Sequence, residues 1–237
     1  RLAVEMVANK KADACISSGN TGALLAISKY LLKTIPNISR PALAKSIPTI
    51  KSFTYMLDLG ANSNCTAEQL LEFAKMGSVI AREIKNIKEP RICLLNIGHE
   101  RIKGHEVIKE AANLLEQSDL NYIGFIEGNY IVENYADVVV TDGFTGNVAL
   151  KTAEGTANFI SLELKKALSS GFFAKLSSLI NISNLKKFKN RLDPRLYNGA
   201  ILLGLETPVI KSHGSTDYIG FANSLDVCVK TVEGKLI

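Results

Sequence analysis

Short apolar runs alternate along this chain with segments in which apolar residues recur every three or four positions. The runs have the length and the Val, Ile and Leu content of buried strands, and the segments between them have the period of one helix face. The strand-like runs are residues 12–17, 55–59, 91–97, 122–126, 136–141 and 207–211. This alternation predicts a three-layer α/β/α fold with a parallel or mostly parallel sheet.

Helical spacing follows several of these runs, for example from Ala23, Leu70 and Val107 onward. A chain of 237 residues is large enough for one well-buried core. We therefore predict that residues 1–237 form a single α/β domain, interrupted by an amphipathic helical insertion at about residues 164–195.

The insertion carries apolar residues among Ser, Asn and Lys. Gly171 and Asn181 are expected to break it into one or two amphipathic helices. The residues predicted to contact a membrane are Phe172, Phe173, Leu176, Leu179 and Ile180. Two interpretations stay open: a subunit interface or solvated flap, and a surface that docks on an anionic membrane.

Charge is concentrated in the same part of the chain. The net charge is +5, and the stretch from Lys165 to Arg191 holds seven Lys and Arg residues with no Asp or Glu. The basicity is therefore local, which argues against nucleic acid as a partner and for one positively charged protrusion. No apolar run approaches the roughly 20 residues that span a bilayer, so a transmembrane protein is not predicted.

The four cysteines are widely spaced, and none has a His nearby in metal-ligand register. We interpret them as buried thiols in a reducing cytosol, because free Cys packs as a small hydrophobe. Cys15, just before a glycine loop, is the one candidate for a nucleophile, and the buried interpretation is favoured there as well.

Glycine-rich polar loops follow the strand-like runs. Such a loop before a helix offers free backbone N–H groups and partial positive charge, and it therefore suits a phosphate-like anion. The candidate binding residues are Ser18, Gly19, Asn20, Thr21, Gly22, Asn62, Asp142, Gly143, Thr145, Gly146, Asn147, His213, Gly214 and Ser215. Helix capping is the alternative role for Asp142 and Asn147. In an open α/β sheet the strand ends would converge on a single crevice.

Standard cofactor motifs are absent from the sequence. It contains no G-x-G-x-x-G, G-x-x-x-x-G-K-[ST] or G-x-S-x-G pattern, which argues against a dinucleotide, a nucleoside triphosphate and a serine nucleophile. His99 and His105 are separated by Gly104 and cannot share a helix face as zinc ligands. We predict no cofactor and no metal.

Six segments carry a family resemblance when they are taken together and in order. They are Asp13–Ala23, Leu57–Asn62, Leu95–Gly98, Thr141–Asn147 with Lys151, Leu202–Gly204 and Val209–Ser215. They resemble the bacterial phosphate acyltransferases of phospholipid synthesis. The resemblance implies a fold similar to isocitrate dehydrogenases and phosphate acetyltransferases. It also implies transfer of a long acyl group from acyl carrier protein to inorganic phosphate, which gives acyl phosphate.

The resemblance also implies partners and roles for single residues. We hypothesise direct transfer without an acyl-enzyme, with Lys103 neutralising phosphate, Asn147 donating from its amide and His213 assisting orientation. A solvated surface lysine is the alternative for Lys103. Relatives are cytoplasmic homodimers that associate peripherally with membranes, so we expect a second subunit and an anionic membrane surface as partners. The chain departs from the family pattern at His99 and Arg101, where acidic residues are usual, and it lacks the family's N-terminal portion.

Two other readings compete with this one. The first is another enzyme of the same fold, either a phosphate acetyltransferase acting on acetyl coenzyme A or a nicotinamide-dependent dehydrogenase. The second is a non-catalytic membrane-surface protein. An assay with charged acyl carrier protein and phosphate separates them, because neither competitor would form acyl phosphate from that donor.

Overall fold

The fold was examined in a computed structural model, which describes residues 1–172, 177 and 179–234. Within these residues the structure has eight strands, which are β1 (Cys15–Ser17), β2 (Ala42–Pro48), β3 (Phe53–Leu57), β4 (Ile92–Leu95), β5 (Tyr122–Ile126), β6 (Val138–Val140), β7 (Ala200–Leu203) and β8 (Val209–Lys211). The helices are α1 (Leu2–Ala8), α2 (Thr21–Leu32), α3 (Ala67–Lys85), α4 (Glu106–Glu116), α5 (Gly143–Ser169), α6 (Ile182–Leu192) and α7 (Tyr218–Glu233). Short 3₁₀ helices cover Gly128–Glu133 and Pro194–Tyr197.

The strands form one sheet in the order β1-β8-β7-β2-β3-β6-β4-β5. Pairing is parallel between β1 and β8 and within the group β3, β6, β4 and β5. Between these two groups, β2 and β7 pair antiparallel with each other and with their outer neighbours. The predicted mostly parallel sheet with helices on both sides is confirmed. Its two parallel groups, β1 with β8 and β3 with β6, β4 and β5, run in opposite directions.

Helices cover both faces of the sheet because the strand side chains alternate. Leu57 and Leu94 pack into a core with α3 and α4, whereas their neighbours Met56 and Cys93 pack into a second core with α1 and α2. Phe73 and Leu115, from α3 and α4, are fully buried in the first core. All four strand residues are nearly inaccessible to water, as a two-sided sheet requires.

The two antiparallel strands in the middle are the part of the sheet that the hydrophobic pattern did not predict. β2 contains Lys45 and Ser46 and ends at Pro48, so it reads as neither a continuous apolar run nor a helix. β7 is only four residues long and follows Gly199. Neither strand carries a clear local signal, because β2 has polar residues in its interior and β7 has only four residues. Their pairing with each other is a long-range event that local periodicity does not report.

Two helices have an end near the predicted breaks of the segment 164–195, and α5 runs without interruption across the predicted start of that segment. α5 ends at Ser169, next to Gly171, and α6 begins at Ile182 after Asn181. Phe172, Leu179 and Ile180 are 76%, 65% and 78% exposed. The other two predicted membrane-contact residues, Phe173 and Leu176, lie outside the described residues.

Candidate functional site

A cavity of about 410 Å³ lies over the antiparallel centre of the sheet. Its floor comes from β2 and the start of β7, through Leu43, Lys45 and Ala200. One wall is α5, and the rest of the lining comes from the loops that follow β1, β3 and β8 and from the segment 194–199 before β7. The side chains on it that carry chemistry are Thr21, Lys45, Asn147, Lys151, Glu154, Asn158, Arg195, Asn198, Lys211, His213, Ser215 and Thr216.

The strand directions explain why only some of the predicted loops meet here. The loops after β1 and β8 leave the sheet at one end of the strands, and the loops after β3 and β6 leave it at the opposite end. The antiparallel strands in the centre cause this reversal of direction. These loops meet across the face of β2 and β7. The loops after β4 and β5 do not line this cavity. We expected the loops after all predicted strands to converge on one crevice. Only the four segments that follow β1, β3, β6 and β8 do so.

A row of interacting polar and charged side chains crosses the cavity from β2 to the β8 loop. Glu154 accepts from Lys45 Nζ at 3.2 Å through Oε1 and from Lys151 Nζ at 2.8 Å through Oε2. The Lys45 and Glu154 side chains are only 11% and 21% exposed. Burial opposes ionisation of Glu154, but the two ammonium groups outweigh it and lower its pKa. Glu154 is therefore an ionised carboxylate that fixes two lysines at the site.

His213 lies at the other end of this row of side chains. Lys151 Nζ lies 3.3 Å from His213 Nε2, and Ser215 Oγ lies 3.0 Å from Nδ1. Partial desolvation and then the Lys151 charge lower the pKa of His213 below 6.5, so the imidazole is neutral at pH 7. Desolvation and Lys151 also lower the pKa of Lys211. The cavity therefore gathers three lysines against one carboxylate, an excess of positive charge that suits an anion.

A buried carboxylate holds the β3 loop against the sheet. Asp58 is fully buried and accepts hydrogen bonds from the N–H groups of Leu43, Gly60, Ala61 and Asn62 at 2.7 to 3.2 Å. The amide of Asn62 adds another bond at 2.8 Å. Burial raises the pKa of Asp58, and these donors act against that rise. The cage fixes the backbone at the edge of the cavity.

The first turn of α5 packs directly on this cage. A Cβ on Gly146 would lie 1.9 Å from the Asp58 carbonyl oxygen, and one on Gly143 would lie 2.6 Å from the Asn62 carbonyl oxygen. Both positions therefore need glycine for close backbone approach. This contact places Asn147 and, one turn later, Lys151 at the cavity.

Four of the predicted site residues line the cavity: Thr21, Asn147, His213 and Ser215. The other loop residues have structural hydrogen bonds or lie beside the cavity. Asn20 caps α2 through the Ala23 N–H at 3.0 Å, and Asp142 caps α5 through the Thr145 N–H at 2.8 Å and its hydroxyl at 2.7 Å. Ser18 and Gly19 are exposed next to the β8 loop at Gly214, where an added Cβ would lie 3.3 Å from the Ser18 carbonyl oxygen.

Three of the predicted anion-binding residues use their donors in hydrogen bonds within the loops. The N–H of Gly146 donates to the Asp142 carbonyl at 2.9 Å, and that of Gly143 donates to the Asn62 carbonyl at 2.7 Å. The Asn62 amide donates to Pro41 and Asp58. These groups are used to build the loops and are not available to an anion. Gly22 and Asn62 line a second depression instead.

Lys103 lies on the β4 loop, outside the cavity lining. Its Nζ pairs with Glu100 at 3.0 Å, and both side chains are about half exposed, at 45% and 57%. The β4 loop leaves the same edge of the sheet as the β6 loop that leads to Asn147, because β4 and β6 are parallel neighbours. The predicted role of Lys103 remains a hypothesis.

The predicted site residues did not include Lys45, Glu154, Arg195 or Lys211, and Lys151 was predicted only as part of a motif. Lys45 lies two residues after Leu43, on the same face of β2, a strand that the pattern missed. Lys151 and Glu154 follow Asn147 by one and two turns on one face of α5, which is the signal that could have found them. Arg195 comes from the end of the insertion, where Asp193 and Asp217 neutralise it at 2.6 and 2.7 Å.

In the described part of the chain, no group of three or more His, Cys, Asp or Glu side chains could hold a metal ion. The four cysteines are free, and burial raises the pKa of each thiol, to about 12 for Cys65 and Cys93. Such thiols are poor nucleophiles at pH 7. No helix among the described residues is long and apolar enough to cross a membrane.

Comparisons with known proteins were made for the whole chain. A family profile described as "Fatty acid synthesis protein" matches residues 1–237. The phosphate acyltransferase of Pelagibacter ubique is 56% identical over 239 residues, which cover 100% of this chain and 72% of that protein. The phosphate acyltransferase of Nitrosococcus oceani is 52% identical over 229 residues, which cover 97% of this chain and 67% of that protein.

Solved structures with a similar fold come from phosphotransacylases. The EutD phosphotransacetylase of Staphylococcus aureus superposes with a TM-score of 0.61 at 15% identity, covering 100% of this chain and 67% of that one. A branched-chain phosphotransacylase of Enterococcus faecalis gives 0.59 at 17% identity, covering 97% and 77%. At such low identity the likeness shows the fold alone, and it agrees with the phosphate acetyltransferase-like fold that was expected.

Proposed function

This chain belongs to the fatty acid synthesis protein family and is an acyltransferase with phosphate as a substrate, and on this premise we propose that it moves a long-chain acyl group from acyl carrier protein to inorganic phosphate. The product is acyl phosphate, which supplies phospholipid synthesis. The observation that carries the proposal is the cavity itself. Three lysines, a neutral His213 and the Asn147 amide surround one space beside glycine-rich loops.

The proposed reaction is direct transfer. A phosphate oxygen attacks the thioester carbonyl carbon, the new C–O bond forms, and the C–S bond breaks. The proton of the hydrogen phosphate dianion goes to the departing thiolate, so the products are acyl phosphate and a free thiol. A thiolate with an ordinary pKa near 8.5 leaves without a strong acid. The reaction therefore needs positioning and charge more than a nucleophilic side chain.

We assign the cavity residues roles that fit this reaction. Lys151 and Lys211 neutralise the phosphate, and Glu154 holds Lys151 and Lys45 in place. Asn147 donates from its amide to the developing oxyanion or to phosphate. The Nδ1 of the neutral His213 accepts from the Ser215 N–H at 3.3 Å, so its Nε2–H can donate to a phosphate oxygen and orient the attacking group.

Lys103 enters the proposal as a second source of charge. Its pair with Glu100 is half exposed, and such pairs are worth about 0 to 1 kcal/mol. Lys103 can therefore exchange that carboxylate for an anion bound nearby. Lys103→Ala should lower kcat/KM roughly tenfold, the effect of one charge near an anion at the protein surface. Lys109→Ala, which removes a lysine with a similar i,i+3 glutamate partner on α4, is the control.

One assay tests the donor and the product. Palmitoyl acyl carrier protein and phosphate are incubated with the protein, and acyl phosphate and free carrier are measured. Both should appear in equal amounts and only when phosphate is present. Activity with acetyl coenzyme A but not with the charged carrier would support the phosphate acetyltransferase alternative. Asn147→Ala should lower turnover at saturating phosphate, and unchanged turnover would remove Asn147 from the mechanism.

A homodimer is part of the proposal, and α5 offers the surface for it. Its exposed apolar residues repeat at helical spacing through Phe144, Val148, Phe159 and Leu162. This stripe is offset by one residue, about 100° around the helix, from the one that lines the cavity. A second subunit on the stripe would sit beside the cavity mouth. Sedimentation should give the mass of two chains, and Leu162→Asp should shift it toward one.

Peripheral membrane association in the cytoplasm completes the proposal. Leu179, Ile180 and Ile182 are 65%, 78% and 62% exposed, and α6 carries Lys186 and Lys187 beyond them. Adjacent apolar and basic groups suit the boundary between headgroups and acyl chains. An amphiphilic product would then form close to the membrane that uses it.

A further inference from the structure

A second depression, of about 600 Å³, lies between α2 and the segment that leads into β2. Apolar side chains line most of it: Leu25, Ala26 and Tyr30 from α2, and Pro41 and Ala61 opposite. We call this depression the α2 groove. Its volume lies within the range of about 300 to 1,000 Å³ that is usual for small-molecule sites. The side chain of Tyr30 is 84% exposed at its rim.

The α2 groove and the cavity share a wall. Thr21 lines the cavity and Gly22 the groove, and Gly60 lines the cavity and Ala61 the groove. Consecutive Cα atoms are about 3.8 Å apart, so the two spaces are separated at these points by the thickness of the backbone.

The shared wall includes two glycines, Gly22 and Gly60, so it has no side chains at these positions. A Cβ on Gly22 would meet only the Asn20 side-chain oxygen, at 3.4 Å. Gly60 has a φ of 125°, a backbone conformation that favours glycine. The Asn147 side chain lies 3.6 Å from where a Cβ on Gly60 would be. A molecule can therefore lie in the α2 groove and present one end to the cavity over Gly22 and beside Asn147.

We propose that the α2 groove binds the acyl chain of the thioester donor. The inference rests on the proposed function, since direct transfer needs the thioester carbonyl beside the phosphate and a long apolar chain extending away from it. The cavity holds the charges and the groove has the apolar walls, so the two subsites match the two ends of the reacting group. The shared wall puts the carbonyl between them.

Two basic residues at the groove are compatible with an apolar occupant. Lys29 reaches the Ser39 carbonyl oxygen at 3.3 Å with its Nζ, and Arg40 is exposed. Long basic side chains lay their methylene stems on apolar surface and keep the charged group in water. Lys29 and Arg40 therefore extend the apolar walls of the groove toward its rim.

The test is a substitution that fills the groove. Ala26 is exposed on α2, so Ala26→Trp adds an indole to the groove without entering the core. Ala222→Trp, at an exposed position of α7 that lines neither space, is the matched control. Each variant is assayed with butyryl and palmitoyl acyl carrier protein, and KM for phosphate is measured with both donors.

Ala26→Trp should lower kcat/KM at least tenfold for the palmitoyl donor and less than twofold for the butyryl donor. KM for phosphate should not change, and Ala222→Trp should match the wild type with both donors. Equal losses with the two donors would overturn the assignment, because they would place the carrier's arm rather than the chain in the groove. Unchanged kinetics with an altered oligomeric mass would also overturn it and make the groove a subunit contact. If the wild type made no acyl phosphate from either donor, the proposed function itself would fail.

Discussion

The first turn of α5 packs into the molecule through two glycines, whereas the residues from Phe159 to Ser169 are mostly exposed. In the first half, Gly143 and Gly146 are buried, and Asn147, Lys151 and Glu154 line the cavity. In the second half, large apolar residues meet water, with Phe159 and Leu162 64% and 58% exposed. The buried residues of α5 are thus glycines, and its large apolar side chains, Phe144 in the first half included, are exposed. Close backbone packing through the glycines positions Asn147, Lys151 and Glu154 at the cavity. The exposed apolar face is the surface that we propose for a second subunit.

The largest expected difference between the two halves is in stability. Gly146→Ala should destabilise the fold by about 3 kcal/mol or more, because the new methyl group would overlap the Asp58 carbonyl oxygen. Gly155→Ala, on the same helix with no atom within 4 Å of the new Cβ, should stabilise it by about 0.5 to 1 kcal/mol. Urea denaturation of the three proteins measures both values. Equal effects at the two positions would show that α5 is not held at its first turn.

Activity should show the next largest difference. Lys151→Met removes the cavity lysine held by Glu154 and should lower kcat about 100-fold, a typical loss for one group that stabilises transition-state charge. Lys166→Met removes a lysine with the same i,i+3 glutamate spacing in the exposed half and should leave kcat unchanged. Steady-state kinetics with the charged carrier decide this. A comparable loss in Lys166→Met would mean that the two halves act together in catalysis.

Membrane binding should depend on the region that follows the exposed half. Ile180→Asp should lower the bound fraction on vesicles with anionic lipid about tenfold or more, because a charge replaces an exposed apolar contact. Leu2→Asp, at an equally exposed position on α1, is the control. Co-sedimentation with vesicles measures both. Binding retained by Ile180→Asp would favour the subunit-interface interpretation of the insertion.

The smallest expected effect is on a pKa at the cavity. Lys151 is one cause of the lowered pKa of His213, so Lys151→Met should raise that pKa toward 6.5. In the wild type the unfolded chain binds this proton more readily than the folded one, and stability falls as the pH drops below about 6.5. The loss should be smaller in Lys151→Met. NMR titration of the imidazole gives the pKa, and an unchanged value would show that Lys151 does not lie against the ring.

The sequence by itself determined the elements with strong local signals. The apolar runs predicted six of the eight strands to within a few residues, and helical periodicity located the helices around them. The breaks in the insertion near Gly171 and Asn181 were also readable, because these residue types end helices locally. The order of six motifs predicted the family, which the comparisons confirmed.

Only the tertiary structure decided which residues share the site. β2 and β7 pair over a long sequence distance. Because they pair antiparallel with each other and with β3 and β8, the parallel groups on either side of them run in opposite directions. That reversal brings Lys211 and His213, at the end of β8, next to Lys151 and Glu154 on α5, the helix that follows β6. Local composition cannot report such a meeting, because it depends on strand direction and on the close approach of α5 to the Asp58 loop.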